Sequence, residues 1–160
     1  MDVVLAQPSI APNTGAIIRL CANAGARLHL IEPLGFSLDD KLMRRAGLDY
    51  HERTSVTIHD TLDDAYGQLR GRWLAFSAKG HTRYCDVTYR SNDVLLFGNE
   101  RRGLDEEVIA SFPSERRVCL PMQPGNRSIN VANTASIALY EAWRQHDFAV
   151  DWGSSGAEPC

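Results

Sequence analysis

A chain of 160 residues, 44% hydrophobic and 23% charged, is sized for one domain that buries its own core, which excludes both an unstructured polyampholyte and a disulfide-stapled miniature. A formal net charge of −3 excludes a protein that coats nucleic acid by bulk electrostatics. It does not exclude a local basic face, because all 17 cationic side chains except Lys41 and Lys79 are arginine, whose planar fork grips phosphate.

In chain order, Val3-Val4-Leu5-Ala6 predicts a first strand. A loop with two prolines follows, and Asn13 stands in N-cap position before a helix with the apolar stripe Ile17, Leu20, Cys21 and Ala24, ended by Gly25. Residues 27–31 predict a second strand, closing a parallel crossover unit. A helix is expected after Asp39-Asp40 and a short strand over residues 55–58. Asp60 with Asp63 is expected to cap a helix running through Leu69. Residues 72–77 and 93–98 are the strongest later strands, with a helix over 105–112 between the second of these and a strand over 117–121. The last helix carries Ile129, Ala132, Ser136, Leu139 and Trp143 at helical spacing. The segment 81–90 has no readable pattern. This alternation predicts an α/β fold with a mostly parallel sheet and helices on both faces. Residues 1–150 form a single domain in this reading, and 151–160, rich in small and turn residues, a flexible tail.

No apolar stretch approaches the ~20 residues that span a bilayer, and residues 1–7 lack a basic start and a long apolar run. A cytosolic protein with no membrane partner is therefore expected. Cys21, Cys85, Cys119 and Cys160 are scattered without a C-x-x-C pair and read as small buried hydrophobes plus a tail thiol. His29, His51, His59, His81 and His146 lack metal-ligand spacing, so no metal is expected and these are surface or hydrogen-bonded histidines. There is no P-loop, no G-x-G-x-x-G and no G-x-S-x-G after a strand.

Chemistry is expected where apolar strands give way to polar loops, because ligands of open α/β sheets bind there. Three loops qualify: residues 8–19, residues 97–105, and the segment from Pro121 to Asn133. Ser128 and Asn130 in the third stand near a helix N-terminus, where unpaired N–H groups can hold a polar ligand.

Asn13-Thr14-Gly15-Ala16-Ile17-Ile18-Arg19, Phe97-Gly98-Asn99-Glu100-Arg101-Arg102-Gly103-Leu104, and Leu120-Pro121-Met122 with Arg127-Ser128-Ile129-Asn130-Val131-Ala132-Asn133 resemble, in order and spacing, the three motifs of the SPOUT superfamily of RNA methyltransferases, in its ribose 2′-O-methylating branch. Ala132 stands where relatives often carry serine. Ile31-Glu32-Pro33-Leu34-Gly35-Phe36, Arg44-Arg45-Ala46-Gly47-Leu48-Asp49-Tyr50-His51 and Tyr140-Glu141-Ala142-Trp143-Arg144-Gln145 extend the resemblance to the minimal tRNA methyltransferases of the wobble ribose. The resemblance implies a deep C-terminal trefoil knot and S-adenosylmethionine as cofactor, held around Phe76, Gly98, Leu120 and Ser128, with Glu100 organising the cofactor and substrate loops. It implies Arg19, Ser128 and Asn130 as catalytic residues and Asn13, Arg19 and Tyr140 as contacts to substrate. The partners it implies are a tRNA anticodon stem-loop and a second copy of the chain. Methylation of another tRNA ribose, and a noncatalytic knotted RNA-binding module, remain open alternatives at this point.

Overall fold

The computed structural model describes residues 1–38 and 56–149. The helix expected after Asp39-Asp40, the Arg44-Arg45 pair and the tail 151–160 lie outside the described residues. The described elements are β1 (Asp2–Ala6), α1 (Ala11–Ala24), β2 (Arg27–Ile31), β3 (Val56–His59), α2 (Leu62–Gln68), β4 (Trp73–Phe76), β5 (Thr82–Arg83), β6 (Val94–Phe97), α3 (Glu106–Ser111), β7 (Arg117–Cys119) and α4 (Val131–Arg144). All seven strands join one parallel sheet in the order β3-β2-β1-β6-β4-β7-β5. The expected parallel sheet is therefore found. Its one unforeseen member is β5, whose two residues are too few to carry a periodic pattern.

Because neighbouring strands alternate side chains in register, the sheet has two apolar faces, and its inner strands are buried runs rather than alternating ones. Val3, Leu5, Leu28, Leu30, Leu74, Phe76, Leu95, Phe97 and Val118 face a cluster completed by α1 and α4. Val4, Ile31, Trp73, Ala75, Val94 and Leu96 face a second cluster completed by α2 and α3. The helical stripe of α4 differs from the sequence reading. Its buried residues are Ala132, Ala135, Ala138, Leu139 and Ala142, because alanines let the helix lie close against the sheet and α1.

Two helix starts also differ from expectation. Asn13 does not cap α1; Ile10 occupies that position without a side-chain bond, and Pro12 sits in the first turn, where its missing N–H costs nothing. Thr61, rather than Asp60 with Asp63, caps α2 through a reciprocal capping box with Asp64. Among the cysteines, Cys21 is buried but Cys85 is exposed, against the expectation of a buried hydrophobe.

A polar network crosses β1, β2 and the edge strand β3 on the α2 face. The buried Asp2 carboxylate accepts from Arg27 at 2.7 and 2.9 Å and lies 3.2 Å from Nε2 of His29, whose Nδ1 lies 2.9 Å from Nε2 of His59. An ionised carboxylate only accepts, so His29 donates to Asp2 and receives the Nε2–H of His59. Among the described residues no helix is long and apolar enough to cross a membrane.

The register brings four strand ends to one edge. Leu5 pairs with Phe97, Phe97 with Phe76, and Phe76 with Val118, so β1, β6, β4 and β7 release their loops side by side.

Candidate functional site

The loops leaving those strand ends enclose a cleft of about 460 Å³ that opens between the start of α1, the loop after β6 and the start of α4. Its floor is apolar. Phe76 and Phe97 stack with ring centroids 4.7 Å apart, and Val118 and Leu120 extend the surface. Such a stacked aromatic pair contributes about 1 kcal/mol beyond its area burial, and its rings, 5% and 2% exposed, underlie the floor from within the core.

The loop after β6 is held tightly. Asn99 and Gly103 exchange backbone bonds at 3.1 and 2.7 Å, and Gly103 takes φ 75°, a conformation that suits glycine. A Cβ at Gly98 would lie 2.1 Å from the Gly103 carbonyl carbon, so only glycine fits there and its backbone faces the cleft bare. Asn99 accepts from the N–H groups of Arg101 and Arg102 and donates to the Gln7 carbonyl at 2.6 Å, tying this loop to the end of β1.

Glu100 forms the polar wall. One oxygen accepts from the Ser9 N–H at 2.8 Å and the Ser9 hydroxyl at 3.0 Å; the other accepts from the Ile10 N–H at 3.1 Å and Asn13 Nδ2 at 3.3 Å. Partial burial pushes its pKa up, but these hydrogen bonds outweigh it and hold the carboxyl below its ordinary value. Asn13 in turn accepts from Asn130 Nδ2 at 3.0 Å, and Asn130 Oδ1 accepts from the N–H groups of Ala132 and Asn133 at 2.8 and 3.3 Å. Asn130 thus caps α4 as its position suggested, and the acid, two amides and helix start form one directed chain of bonds.

Of the site residues expected from sequence, the structure brings Asn13, Phe76, Gly98, Glu100, Leu120, Ser128 and Asn130 to the cleft. Ser128 is exposed at the rim. Arg19 and Tyr140 are not among the lining residues: Arg19 is exposed on α1 and Tyr140, 43% exposed, stands on α4 with its ring edge against Trp143. Sequence reasoning missed Ser9, Gln7 and Asn99, which hold the loops. Only Asn99 carried a usable signal, since asparagine bonding forward to its own backbone is a turn device. Among the described residues no three metal-ligating side chains come together.

Residues 1–140 match the SpoU rRNA Methylase family. The chain is 54% identical over 149 residues, 92% of its length and 97% of the relative's, to a tRNA (cytidine(34)-2'-O)-methyltransferase of Methylovorus glucosotrophus. It resembles a solved structure presented as insights into the 2-OH methylation of C/U34 on tRNA, with TM-score 0.84 and 42% identity across 91% of this chain and 95% of that one. An AdoMet-bound rRNA methyltransferase structure from Sinorhizobium meliloti shares 26% identity with TM-score 0.76, across 89% of this chain and 55% of that one.

Proposed function

The chain belongs to the SpoU methylase family, and on that premise we propose that it methylates the ribose 2′-hydroxyl of the wobble nucleotide of tRNA, cytidine or uridine, using S-adenosylmethionine. The observation that carries the reading is the convergence of the three motif loops on one cleft with an apolar floor and a polar wall, in a chain 54% identical to a relative named for that reaction.

S-adenosylmethionine supplies the methyl group when bound. The residues present fit it: Leu120 and the chain beside Phe76 suit its adenine, and the bare backbone at Gly98 can approach closely, with Ser128 at the rim. A ribose hydroxyl is a poor nucleophile at neutral pH, so the site has to orient it and stabilise the charge that grows as its proton leaves. Arg19 fits that second task. A guanidinium stays protonated, so Arg19 stabilises the developing oxyanion and holds the neighbouring phosphate instead of removing the proton. The Ser128 hydroxyl and the remaining N–H groups of Asn13 and Asn130 hold the ribose.

Arg19 and Tyr140 lie outside the cleft lining of their own chain, and Ile137 and Tyr140 leave an apolar strip exposed on α4. We read this as a homodimer in which α1 and α4 of one copy complete the site of the other and present one basic face to the anticodon stem-loop. The trefoil knot belongs to the same proposal. Its support is that β7 lies between β4 and β5, both earlier in the chain, before α4 returns to α1. We read the activity as cytoplasmic, in keeping with the proposed tRNA substrate.

Mapping methylated nucleotides by mass spectrometry, in tRNA from cells with and without the protein, tests the reaction: a 2′-O-methyl group lost from nucleotide 34 alone is expected, and its persistence would overturn the reading. Calorimetry with S-adenosylmethionine tests the cofactor site, and no binding of it or of its demethylated product would overturn that part.

A further inference from the structure

Four donors converge on Glu100, and two of them come from one residue. Ser9 gives both its N–H and its O–H to the same oxygen, at 2.8 and 3.0 Å. Ile10 and Asn13 supply the other two from the cleft wall, but Ser9 lies behind it and is not among the lining residues. Ser9 is itself clamped. The Gly35 N–H donates to the Pro8 carbonyl at 2.9 Å, and a Cβ at Gly35 would lie 2.7 Å from the Ser9 Cα, so the chain after β2 presses directly on the turn that carries Ser9.

The consequence runs through the amides. With donors aimed at both oxygens, Glu100 is an acceptor only, so Asn13 has to present its NH₂ group. Its carbonyl oxygen then faces Asn130, which has to present its own NH₂ group, while the Asn130 oxygen meets the N–H groups at the start of α4. The charge on Glu100 therefore sets the direction of both amides, and with it the N–H hydrogens left over for substrate.

We propose that Ser9 is a positioning residue for methyl transfer: its hydroxyl and N–H hold the Glu100 carboxylate in place, which orients the Asn13 and Asn130 amides toward the ribose, and Gly35 seats Ser9 against the carboxylate. The proposal rests on the methyltransferase reading above. The first turn of α1 and the start of α4 bring no titratable group to Glu100. The charged groups around the cleft are Arg101 and Arg102 on its own loop and the Lys79–Glu106 pair, bonded to one another at 2.6 Å.

The test compares Ser9→Ala with Ser9→Thr, which keeps the hydroxyl, in kcat and KM across the pH range, together with the carbon-13 titration of the Glu100 carboxyl. In Ser9→Ala the Glu100 midpoint should rise. The acid limb of kcat should move up with it, giving a loss of about ten-fold at the acid end that narrows toward alkaline pH. KM for S-adenosylmethionine should stay within about two-fold, and Ser9→Thr should restore both the midpoint and the limb. Gly35→Ala should reproduce the shift and add little to it in the double variant. If Ser9→Ala does not fold, Ser9→Cys, of similar volume but a weaker donor, should shift the midpoint in the same direction. An unmoved midpoint, a loss of kcat equal at every pH, or failure of threonine to restore the limb would overturn the proposal. Absence of tRNA methylation by the unsubstituted protein would instead overturn the function reading, and the titration distinguishes the two.

Discussion

Arg19 is exposed on α1, six residues beyond Asn13, and in the proposed reading it acts in the complex with RNA. Arg19→Ala should lower kcat by about 10²–10³, as loss of one oxyanion-stabilising donor does, while calorimetry finds the affinity for S-adenosylmethionine unchanged. Lysine there should also be poor, because it lacks the planar fork. Parallel loss of affinity and turnover would make Arg19 structural. Gly98 predicts the opposite pattern. An added methyl group would meet the Gly103 backbone at 2.1 Å, so Gly98→Ala should lose cofactor binding and lower Tm together, measured by calorimetry and thermal unfolding.

Among the elements, the start of α4 separates capping from chemistry. Asn130→Ala removes the cap and should cost about 1 kcal/mol of stability. Asn130→Asp keeps an acceptor for the Ala132 and Asn133 N–H groups, and its charge suits a helix start. It cannot donate to Asn13, however, so Asn130→Asp should keep its urea midpoint and still lose most methyl transfer; full activity would show the amide chain to be incidental. The same elements show what was readable in sequence. β4 and β6 were plain because both faces are buried, giving Trp73-Leu74-Ala75-Phe76 and Val94-Leu95-Leu96-Phe97 as continuous apolar runs. α4 was placed and two members of its expected stripe, Ala132 and Leu139, are buried, but Ala135, Ala138 and Ala142 were missed, because alanine gives little signal of burial. Ala135 and Ala138 pack on this chain's own core. The motif loops named most of the cleft, yet the Ser9–Glu100 contact joins residues 91 apart, and no local spacing encodes such a pairing.

At the scale of the whole molecule, the Asp2–His29–His59 network ties stability to pH. Burial and the neighbouring His29 hold the His59 pKa below its ordinary 6.5. Burial raises that of Asp2, but hydrogen bonds from His29 and Arg27 win and leave it below 3.8. Both groups therefore bind protons more readily in the unfolded chain. Stability contributed by His59 should be complete above 6.5 and decline as pH falls from there toward the folded value; that of Asp2 should decline in a second step below 3.8. Urea unfolding across this range should show both steps in the parent and only the lower one in His59→Gln. Assembly is the other property of the whole. Sedimentation at micromolar concentration should give a dimer, weakened by Tyr140→Ala, and a fully active monomer would rule out a shared site. The position of β7 reaches further, into how the protein is made. That strand is the last but one of the sheet, set between β4 and β5, and supplies Val118 to the cleft floor. A nascent chain that has emerged only through Phe112 holds most of the motif residues but has an open seam where the site belongs, so the cell acquires no partial activity during translation, and ligand binding can assist folding only after synthesis has passed the last strand.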